Sequence, residues 1–373
     1  SWPRASHPSA AAISTTMAKR LLGFGNPLLD ISATVEQSVL DEWGATLNNA
    51  MLAEEKHKPL YAKLVATHKV EYIAGGATLN SIRVAQWMLG DDHKGAASFV
   101  GCIGKDEFGA TMKTQLAKDG VAGLFLEVDE APTGTCAVLV KDSERSLCAN
   151  LAAAEKYDAA HFSTEAVAKA VADAGIFYMA GFPLTHDGGK ATVTAVCEHA
   201  LASDASDSPK VVCMNVSAPF IAEFFKEPLA AAFEYCDFIF CNESEAEALA
   251  KAVGWDGETG ADVAKIAAKI AGLPSKRKAK RTAVVTQGAD ATIVVVAGEA
   301  PASFPVKGNP WELSKEQIVD TNGAGDAFVG GFLSQLATGQ PTATCVKAGH
   351  FSAGTIIQRA GCSFPEGASG FKP

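Results

Sequence analysis

The sequence predicts an α/β fold with three α-β-α layers, a doubly wound and mostly parallel sheet, and a small β-rich lid. Two observations support this prediction. Short, nearly continuous apolar runs recur along the chain, and segments with the spacing of amphipathic helices lie between them. Strands that alternate with helices are typical of parallel sheets covered on both faces. The 373 residues, 48% of them hydrophobic, are sufficient for one large domain of this kind.

Six apolar runs predict strands buried on both faces, because none of them alternates strictly between apolar and polar residues. They are residues 21–24, 97–100, 176–179, 211–214, 238–241 and 283–286. Helical spacing is clearest in residues 78–88 and 261–270. Ligands of such sheets bind beyond the carboxyl ends of the strands, so we expect the functional loops there.

Two segments break this alternation and predict the lid. Residues 135–140 and 146–149 have the pattern of two strands with no helix between them, and residues 31–52 are similarly irregular. We therefore place a lid at about 28–70 and 125–152 within one α/β domain over 17–373. Residues 1–16 precede a methionine, are rich in Ser and Ala, and are interpreted as a leader or added extension.

Composition narrows the class of protein. The net charge of −10 argues against non-specific binding to nucleic acid or to an anionic membrane. No apolar run approaches the roughly 18–20 residues of a membrane span. The nine cysteines show no CxxC spacing, which predicts buried free thiols in a reducing compartment, the cytoplasm or alternatively the nucleus. The basic run 276–281 is interpreted as a solvated loop rather than a targeting patch.

The strongest local motif spans residues 320–326 and reads Asp-Thr-Asn-Gly-Ala-Gly-Asp, just before a predicted helix. Its small residues allow close approach to the backbone, and the unpaired N–H groups of a helix start attract negative charge. Asp326, at the edge of this cradle, is placed to accept a proton from a hydroxyl that attacks a phosphate. A Gly-rich turn with an N-capping Asp would explain the same residues.

Two further turns carry polar residues that suit a sugar. Gly75 and Gly76 precede Asn80 at the start of the 78–88 helix, where Asn80 could hydrogen-bond hydroxyl groups. Asn26 and Asp30 follow the first predicted strand, and a carboxylate there can bind a vicinal diol through both oxygens. Each pattern is also that of an ordinary tight turn.

Asn242 and Glu245 lie three residues apart directly after the 238–241 strand. Side chains at this spacing face the same way on a helix and would suit a hydrated Mg²⁺ ion near phosphates. An N-capped helix with acidic residues in its first turn is the alternative explanation.

Absent motifs exclude several kinds of enzyme. Without GxxxxGK[ST], an ATP site in this chain would not be a P-loop. The lack of HExxH and GxSxG argues against a zincin and an α/β-hydrolase. No GxGxxG follows the first predicted strand, which argues against a Rossmann dehydrogenase.

Taken in order along the chain, the Gly-Gly, Asn-x-x-Glu and Gly-Ala-Gly-Asp motifs resemble the ribokinase-like (PfkB) family of sugar and nucleoside kinases. The resemblance covers essentially residues 17–365. It implies a ribokinase-like fold and an ATP-dependent phosphotransferase that needs Mg²⁺. The implied reaction moves the γ-phosphoryl group of ATP to the 5′-hydroxyl of adenosine, giving AMP and ADP in purine salvage. The implied protein is a cytoplasmic monomer.

The resemblance also implies roles for individual residues. Asp326 would be the general base, the backbone of Gly323, Ala324 and Gly325 would stabilise the transferring phosphoryl group, and Arg145 would clamp phosphates from the lid. The implied nucleoside contacts are Asn26, Asp30, Leu52, Gly76, Asn80, Leu147, Ala149, Leu151 and Phe182. The implied ATP contacts are Thr286, Gly288, Asn322 and His350. Asn242 and Glu245 would organise Mg²⁺ through water.

Two positions depart from the family pattern, and both are expected near the nucleoside. Pro183 stands where a second aromatic residue able to stack on adenine is expected, and Leu79 replaces a residue that is polar in vertebrate members. Three other functions stay open from the sequence. They are a kinase of the same family for another sugar or nucleoside, a non-catalytic nucleoside-binding protein on this fold, and a nucleotide-binding scaffold that dimerises through its lid.

Overall fold

The computed structural model describes residues 18–372 apart from 48, 143 and 309–311, so the leader predicted at 1–16 lies outside the described residues. The strands of this part of the chain are β1 (Arg20–Phe24), β2 (Leu28–Thr34), β3 (Asn49–Leu52), β4 (Glu71–Gly75), β5 (Ala97–Gly104), β6 (Ala122–Val128), β7 (Thr135–Lys141), β8 (Glu144–Asn150), β9 (Ala174–Ala180), β10 (Val211–Asn215), β11 (Phe238–Asn242), β12 (Thr282–Gln287), β13 (Asp290–Val296) and β14 (Ala302–Phe304).

The α-helices alternate with these strands over most of the chain. They are α1 (Gln37–Trp43), α2 (Lys58–Thr67), α3 (Ala77–Leu89), α4 (Glu107–Lys118), α5 (Glu165–Asp173), α6 (Asp187–Ala202), α7 (Pro219–Phe224), α8 (Lys226–Phe233), α9 (Glu243–Ala252), α10 (Asp256–Thr259), α11 (Val263–Ala271), α12 (Ala324–Ala337) and α13 (Thr342–Ile356). Both helices predicted from apolar spacing are present as α3 and α11. The second starts at Val263 because the Asp262 side chain accepts a hydrogen bond from the backbone N–H of Lys265 and caps it.

The larger sheet has the order β14-β13-β12-β11-β10-β9-β1-β5-β6. The seven strands from β12 to β6 are parallel, and β13 and β14 add an antiparallel edge. The chain builds outward from β1 in two directions, first to β5 and β6 and later to β9 through β12. This confirms the doubly wound, mostly parallel sheet, and it places a topological switch point between β1 and β9.

Alternate residues of the parallel strands enter two separate cores. On β9, Phe177 and Met179 pack with α5, α6, α8, α9 and α11 on one face of the sheet. Ile176 and Tyr178 pack on the other face, where α3, α4, α12 and α13 lie. Because side chains of a strand alternate between its two faces, both faces must be apolar, and the runs therefore lack alternation. The three predicted layers are confirmed.

A second sheet has the order β3-β8-β7-β2-β4 and forms the lid over the first sheet's carboxyl ends. One face is covered by α1 and α2, with Leu40 and Leu60 fully buried. The other face carries apolar residues toward the larger sheet. Two strands do not match the predicted lid segments. β4 pairs with β2 in the lid sheet but lies beyond residue 70, and β6 overlaps the segment that begins at about 125 but pairs with β5 in the larger sheet. The division at about 28–70 and 125–152 stays a prediction.

The predicted buried free thiols are confirmed, since all nine cysteines are buried and unpaired. Burial holds the pKa of Cys213, Cys236 and Cys241 well above the usual thiol value. Among the helices that the structure describes, none combines the length and the apolar composition needed to cross a bilayer.

The basic run 276–281 is a loop between α11 and β12, as predicted, and its lysines are exposed, but its two arginines, Arg277 and Arg281, are buried. Arg281 is 1% exposed and donates hydrogen bonds to the backbone carbonyls of Phe233, Cys236, Leu273 and Pro274. Its guanidinium satisfies carbonyl groups that the ends of α8 and α11 leave without intrahelical donors. No sequence pattern predicts this role, because the acceptors are backbone atoms.

We expect Arg281→Met to lower the free energy of unfolding by about 3 kcal/mol, because several buried carbonyl groups lose their donors. Lys280→Met, at a neighbouring side chain that is 63% exposed, should change it by less than about 0.5 kcal/mol. Urea denaturation followed by circular dichroism measures both. Equal midpoints for the two variants would show that Arg281 is not a structural donor.

Candidate active site

A cleft of about 330 Å³ lies between the lid and the carboxyl ends of β1, β9, β10 and β11. This is the position expected for ligands of a doubly wound sheet, beside the switch point. Its volume falls at the lower end of the range for small-molecule pockets, which is roughly 300–1,000 Å³. The loops that carry the sequence motifs all reach it.

The N-terminus of α12 forms the floor of the cleft. Gly323 is the N-cap residue and has φ +72°, a left-handed conformation that favours glycine. The next residues, Ala324, Gly325 and Asp326, form the first turn and line the cleft. N–H groups in a first helical turn have no intrahelical acceptor, and the helix dipole adds partial positive charge. The N–H of Ala324 already donates to the carbonyl oxygen of Thr321, 3.2 Å away, so the predicted cradle for negative charge would depend on the other N–H groups of this turn.

Asp326 lies in that first turn, and its Oδ2 accepts a hydrogen bond of 2.9 Å from Nδ2 of Asn80. Withdrawal from water raises the pKa of Asp326 to about 6, and the hydrogen bond from Asn80 acts in the opposite direction. The carboxyl group is thus ionised at neutral pH while staying basic enough to accept a proton. The bond from Asn80 also fixes the orientation of the carboxylate.

Asp30 lies on β2 at the lid end of the cleft and is buried. Burial, with a smaller contribution from the charge of Asp326, raises its pKa to about 7. The backbone approaches closely here, since a Cβ atom at Gly75 would lie 2.5 Å from Oδ1 of Asp30. Gly76 has φ +103°, and a Cβ there would lie 2.4 Å from the carbonyl oxygen of Asn26. Both positions require glycine.

Arg145 connects the lid to the motif at 320–326. Its guanidinium forms an ion pair with Asp320, and both side chains are at most 5% exposed. Asp320 also accepts hydrogen bonds from the backbone N–H groups of Asn322 and Gly361, at 2.5 and 2.6 Å. Burial lowers the pKa of Arg145 to about 10, and the charge of Asp30 opposes this shift. Asp320 thus anchors the lid beside the anion cradle.

The lid presents an apolar face to the cleft. Alternate residues of β8, namely Arg145, Leu147 and Ala149, point toward it, while Cys148 enters the core under α2. Leu52 and Leu151 continue the apolar face. Across the cleft, Phe182 and Phe220 form a tilted ring pair with centroids 6.1 Å apart. A planar apolar group could lie between these two surfaces.

Asn242 and Glu245 line the cleft and also bond each other. Oδ1 of Asn242 accepts from the N–H of Glu245 at 2.8 Å, and the Glu245 carboxylate accepts from the N–H and Nδ2 of Asn242. The N-capped helix considered from the sequence is therefore present at the start of α9. Burial raises the pKa of Glu245 to about 7. No cluster of three or more His, Cys, Asp or Glu side chains that could hold a metal occurs within the described residues.

Three predicted ATP contacts lie outside the cleft lining. Thr286 is paired with Asn242 across the sheet, and Gly288 is exposed in the turn after β12. His350 is buried in α13, where its Nε2 lies 2.8 Å from the hydroxyl of Thr292, and burial lowers its pKa to about 4. The ring of His350 is thus hydrogen-bonded inside the protein and does not reach the cleft. The predicted roles of these residues in binding ATP stay predictions.

The other predicted residues are brought together around the cleft, namely Asn26, Asp30, Leu52, Gly76, Asn80, Arg145, Leu147, Ala149, Leu151, Phe182, Asn242, Glu245, Asn322, Gly323, Ala324, Gly325 and Asp326. Pro183 also lines it. Leu79 does not, because it is fully buried in the core beneath α3, so the expectation that it lies near a ligand is wrong.

Sequence reasoning missed several lining residues, among them Asn49, Met51, Thr78, Asn215, Ser217 and Phe220. Asn215 directly follows the predicted strand 211–214, and the rule about carboxyl ends of strands would have found it. Asn49 and Met51 carry no recognisable signal, because they reach the cleft only through the pairing of β3 with β8.

Comparisons with known proteins agree with this geometry. The model of the pfkB family of carbohydrate kinases matches residues 40–368. Adenosine kinase 1 of Arabidopsis thaliana is 48% identical over 347 residues, covering 93% of this chain and 96% of that protein. The structure of Anopheles gambiae adenosine kinase in complex with a di(adenosine-5) tetraphosphate is 42% identical and has a TM-score of 0.85, covering 93% of this chain and 98% of that chain.

A further similar structure is the adenosine kinase from Schistosoma mansoni in complex with 2-fluoroadenosine. It is 33% identical and has a TM-score of 0.86, covering 94% of this chain and 99% of that chain. The family model covers most of the chain, although it begins after Asn26 and Asp30, and these relatives cover 93–94% of the chain. The chain therefore belongs to the pfkB family of carbohydrate kinases, beside the adenosine kinases that share its fold and most of its length.

Proposed function

We propose that this protein is an adenosine kinase, which transfers the γ-phosphoryl group of Mg-ATP to the 5′-hydroxyl of adenosine and releases AMP and ADP. One observation carries the proposal. The Asp326 carboxylate lies beside the N-terminus of α12, in the same cleft as Asp30 and the apolar face of the lid. A proton acceptor, an anion cradle, a diol-binding carboxylate and a flat apolar slot are the parts that this reaction needs. The adenosine kinases among its relatives support the same activity.

The nucleoside would lie between the lid and the larger sheet. Asp30 would accept hydrogen bonds from the ribose 2′- and 3′-hydroxyls, with the Gly76 backbone and Asn80 beside them. The base would fill the slot between Leu147 on the lid and Phe182 on the opposite wall. This placement directs the primary alcohol of the ribose toward the floor of the cleft, where Asp326 lies.

Asp326 would remove the proton of the 5′-hydroxyl as that oxygen attacks the γ-phosphorus. Its orientation is fixed by Asn80, and its pKa of about 6 leaves it ionised at neutral pH. The N–H groups of the first turn of α12 would stabilise charge on the transferring phosphoryl group. Arg145, now paired with Asp320, would supply a planar fork for phosphate oxygens.

The charges of the cleft favour a metal ion with the nucleotide. Three carboxyl groups, Asp30, Glu245 and Asp326, line the cleft, and a bare polyphosphate would meet like charge wherever they are ionised. Glu245 and Asn242, at the start of α9, would hold Mg²⁺ through water, since their own side chains already bond each other. When bound, Mg²⁺ neutralises charge on the phosphates.

Phosphorylation assays with adenosine, inosine and ribose and Mg-ATP as donor test the proposal directly. We expect adenosine to give the highest kcat/KM, because the apolar slot contributes nothing to ribose. Preference for ribose or another sugar would favour a different kinase of the family. Absence of phosphorylation with tight adenosine binding would favour a non-catalytic nucleoside-binding protein.

We also propose that the enzyme acts as a cytoplasmic monomer that binds neither nucleic acid nor membranes. The net charge of −10 supports the absence of nucleic-acid and membrane binding, and nine unpaired cysteines suit a reducing compartment. Sedimentation at micromolar concentration tests the monomer. A dimer would instead support the scaffold that associates through its lid.

Asp30→Asn is expected to raise KM for adenosine about 10- to 100-fold with a smaller effect on kcat. Above its pKa of about 7 the Asp30 carboxylate is ionised, and hydrogen bonds to a charged acceptor contribute roughly 1.5–3 kcal/mol. The diol lies away from the reacting oxygen, so kcat should change less than KM. Steady-state kinetics with adenosine and 2′-deoxyadenosine measure the effect. The wild-type enzyme should discriminate more strongly between them than the variant. Equal discrimination would mean that Asp30 does not bind the diol.

A further inference from the structure

His186 makes two hydrogen bonds that together define its protonation. It is the N-cap residue of α6, and its Nδ1 accepts a hydrogen bond of 3.1 Å from the backbone N–H of Gly189. Its Nε2 lies 3.0 Å from Oδ1 of Asn26, across the cleft wall that follows β1. A backbone N–H can only donate, so Nδ1 must carry the lone pair. A neutral imidazole then has its proton on Nε2.

This tautomer fixes the orientation of the Asn26 amide. Because Nε2 of His186 is a donor, it must face the amide oxygen, and a flipped amide would place two donors against each other. The Nδ2 group of Asn26 consequently points away from His186. It is buried and has no hydrogen-bond partner among the described residues, although Asn26 lines the cleft.

The surroundings leave Asn26 and His186 little freedom to move. Asn26 is 9% exposed. Its carbonyl oxygen would lie 2.4 Å from a Cβ atom at Gly76, so the backbone of Asn26 is packed tightly against the backbone that follows β4. At the start of α6, a Cβ at Gly189 would lie 1.9 Å from the carbonyl oxygen of Pro183. The helix therefore begins in close contact with the cleft wall and holds the imidazole in place.

We propose that His186 is a positioning residue that directs the Asn26 amide N–H₂ group into the cleft, where it donates a hydrogen bond to an acceptor atom of the bound nucleoside. This inference rests on the proposed function and deepens it, since it assigns a donor to the nucleoside site. An unpaired buried donor is unfavourable, and a ligand with an acceptor at this point removes that cost. A molecule without such an acceptor leaves the Nδ2 group of Asn26 unpaired and therefore binds more weakly.

Two variants of His186 separate positioning from capping, because each keeps one of its hydrogen bonds. In His186→Asn, a side-chain oxygen near the Nδ1 position still caps α6, but the donor to Asn26 is lost. In His186→Gln, an amide N–H₂ near the Nε2 position still reaches Asn26, while the cap is weakened. We expect His186→Asn to raise KM for adenosine about tenfold with little change in Tm. His186→Gln should restore most of the affinity while lowering Tm.

If KM and Tm instead change together in both variants, His186 is only a helix cap and the proposal is wrong. Calorimetric titration with adenosine in the absence of ATP measures Kd for the wild type and both variants, which allows the same comparison without turnover. Phosphorylation of adenosine by the wild-type protein tests the proposed function separately. If the wild-type protein phosphorylates adenosine but His186→Asn does not bind it more weakly than His186→Gln, only the role of His186 is disproved.

Asn26→Asp provides a second test that keeps the cap intact. His186 would still donate to one carboxylate oxygen, but the other oxygen would face the nucleoside in place of the N–H₂ group. We expect KM for adenosine to rise at least tenfold, because an acceptor then meets an acceptor. An unchanged KM would show that the amide oxygen faces the cleft in the wild-type protein, which contradicts the proposed orientation.

Discussion

Replacing Asp326 by Asn is expected to lower kcat for adenosine phosphorylation by about 10²–10⁴-fold while adenosine still binds. The amide has nearly the shape of the carboxylate and can keep a hydrogen bond to Asn80, so the floor of the cleft should stay intact. What it lacks is the ability to accept the proton of the attacking hydroxyl. Rapid-quench or steady-state kinetics give kcat, and calorimetry gives Kd for adenosine.

The pH dependence of the same variant identifies the base. A general base must be ionised, and Asp326 has a pKa of about 6, so kcat at saturating adenosine should be constant above that pH and fall as the pH decreases below it. The profile of kcat/KM would also contain the ionisation of Asp30, whose pKa is about 7. The Asp326→Asn variant should lose this limb of the profile. Glu243→Gln is a matched control, because Glu243 is an exposed acidic residue in the first turn of α9. It should keep both the rate and the profile, and near-normal kcat in Asp326→Asn would disprove the assignment.

Replacing Arg145 by Ala is expected to have the second largest effect, because it acts on both stability and turnover. The variant leaves the buried Asp320 carboxylate without its ion-pair partner, and breaking such a pair costs roughly 3–5 kcal/mol. The lid then loses its connection to the 320–326 motif. The variant also lacks the guanidinium that would bind phosphate oxygens. We therefore expect kcat/KM for ATP to fall about 10²-fold.

Two companion variants separate these contributions. Arg145→Lys keeps a positive charge beside Asp320 but loses the planar fork, so it should recover most of the stability and little of the turnover. The double variant Arg145→Met with Asp320→Asn removes both charges and should be more stable than Arg145→Ala. Thermal denaturation and ATP kinetics measure the two effects. If Arg145→Lys were fully active, the guanidinium would have no specific role toward phosphate.

The sequence was informative wherever a single residue or a short run determines the local structure. Runs such as 176–179 had to be buried strands because both faces of the sheet are covered, and the structure confirms β9 there. Gly323, with φ +72°, could be recognised because its conformation favours glycine. The position of Asn26 followed from the rule that ligands bind beyond the carboxyl ends of strands, and that of Asp326 from the Gly-rich motif at a helix start.

The remaining features depend on pairs of residues far apart in the chain. Asp320 was part of a recognised motif, but its pairing with Arg145 arises only when the second sheet folds over the first. His186 contacts Asn26, which lies 160 positions earlier in the sequence, and no local pattern predicts that contact. Arg281 looked solvated because its partners are carbonyl groups, which every residue has. Long-range contacts of this kind are set by packing rather than by local spacing.

The most direct measurement is a crystal structure of the protein with adenosine bound. We expect the 5′-oxygen of the ribose within about 3 Å of the Asp326 carboxylate, with the 2′- and 3′-hydroxyls at Asp30. A bound nucleoside whose primary alcohol points away from Asp326, toward the lid or into solvent, would contradict the role of that residue as the base.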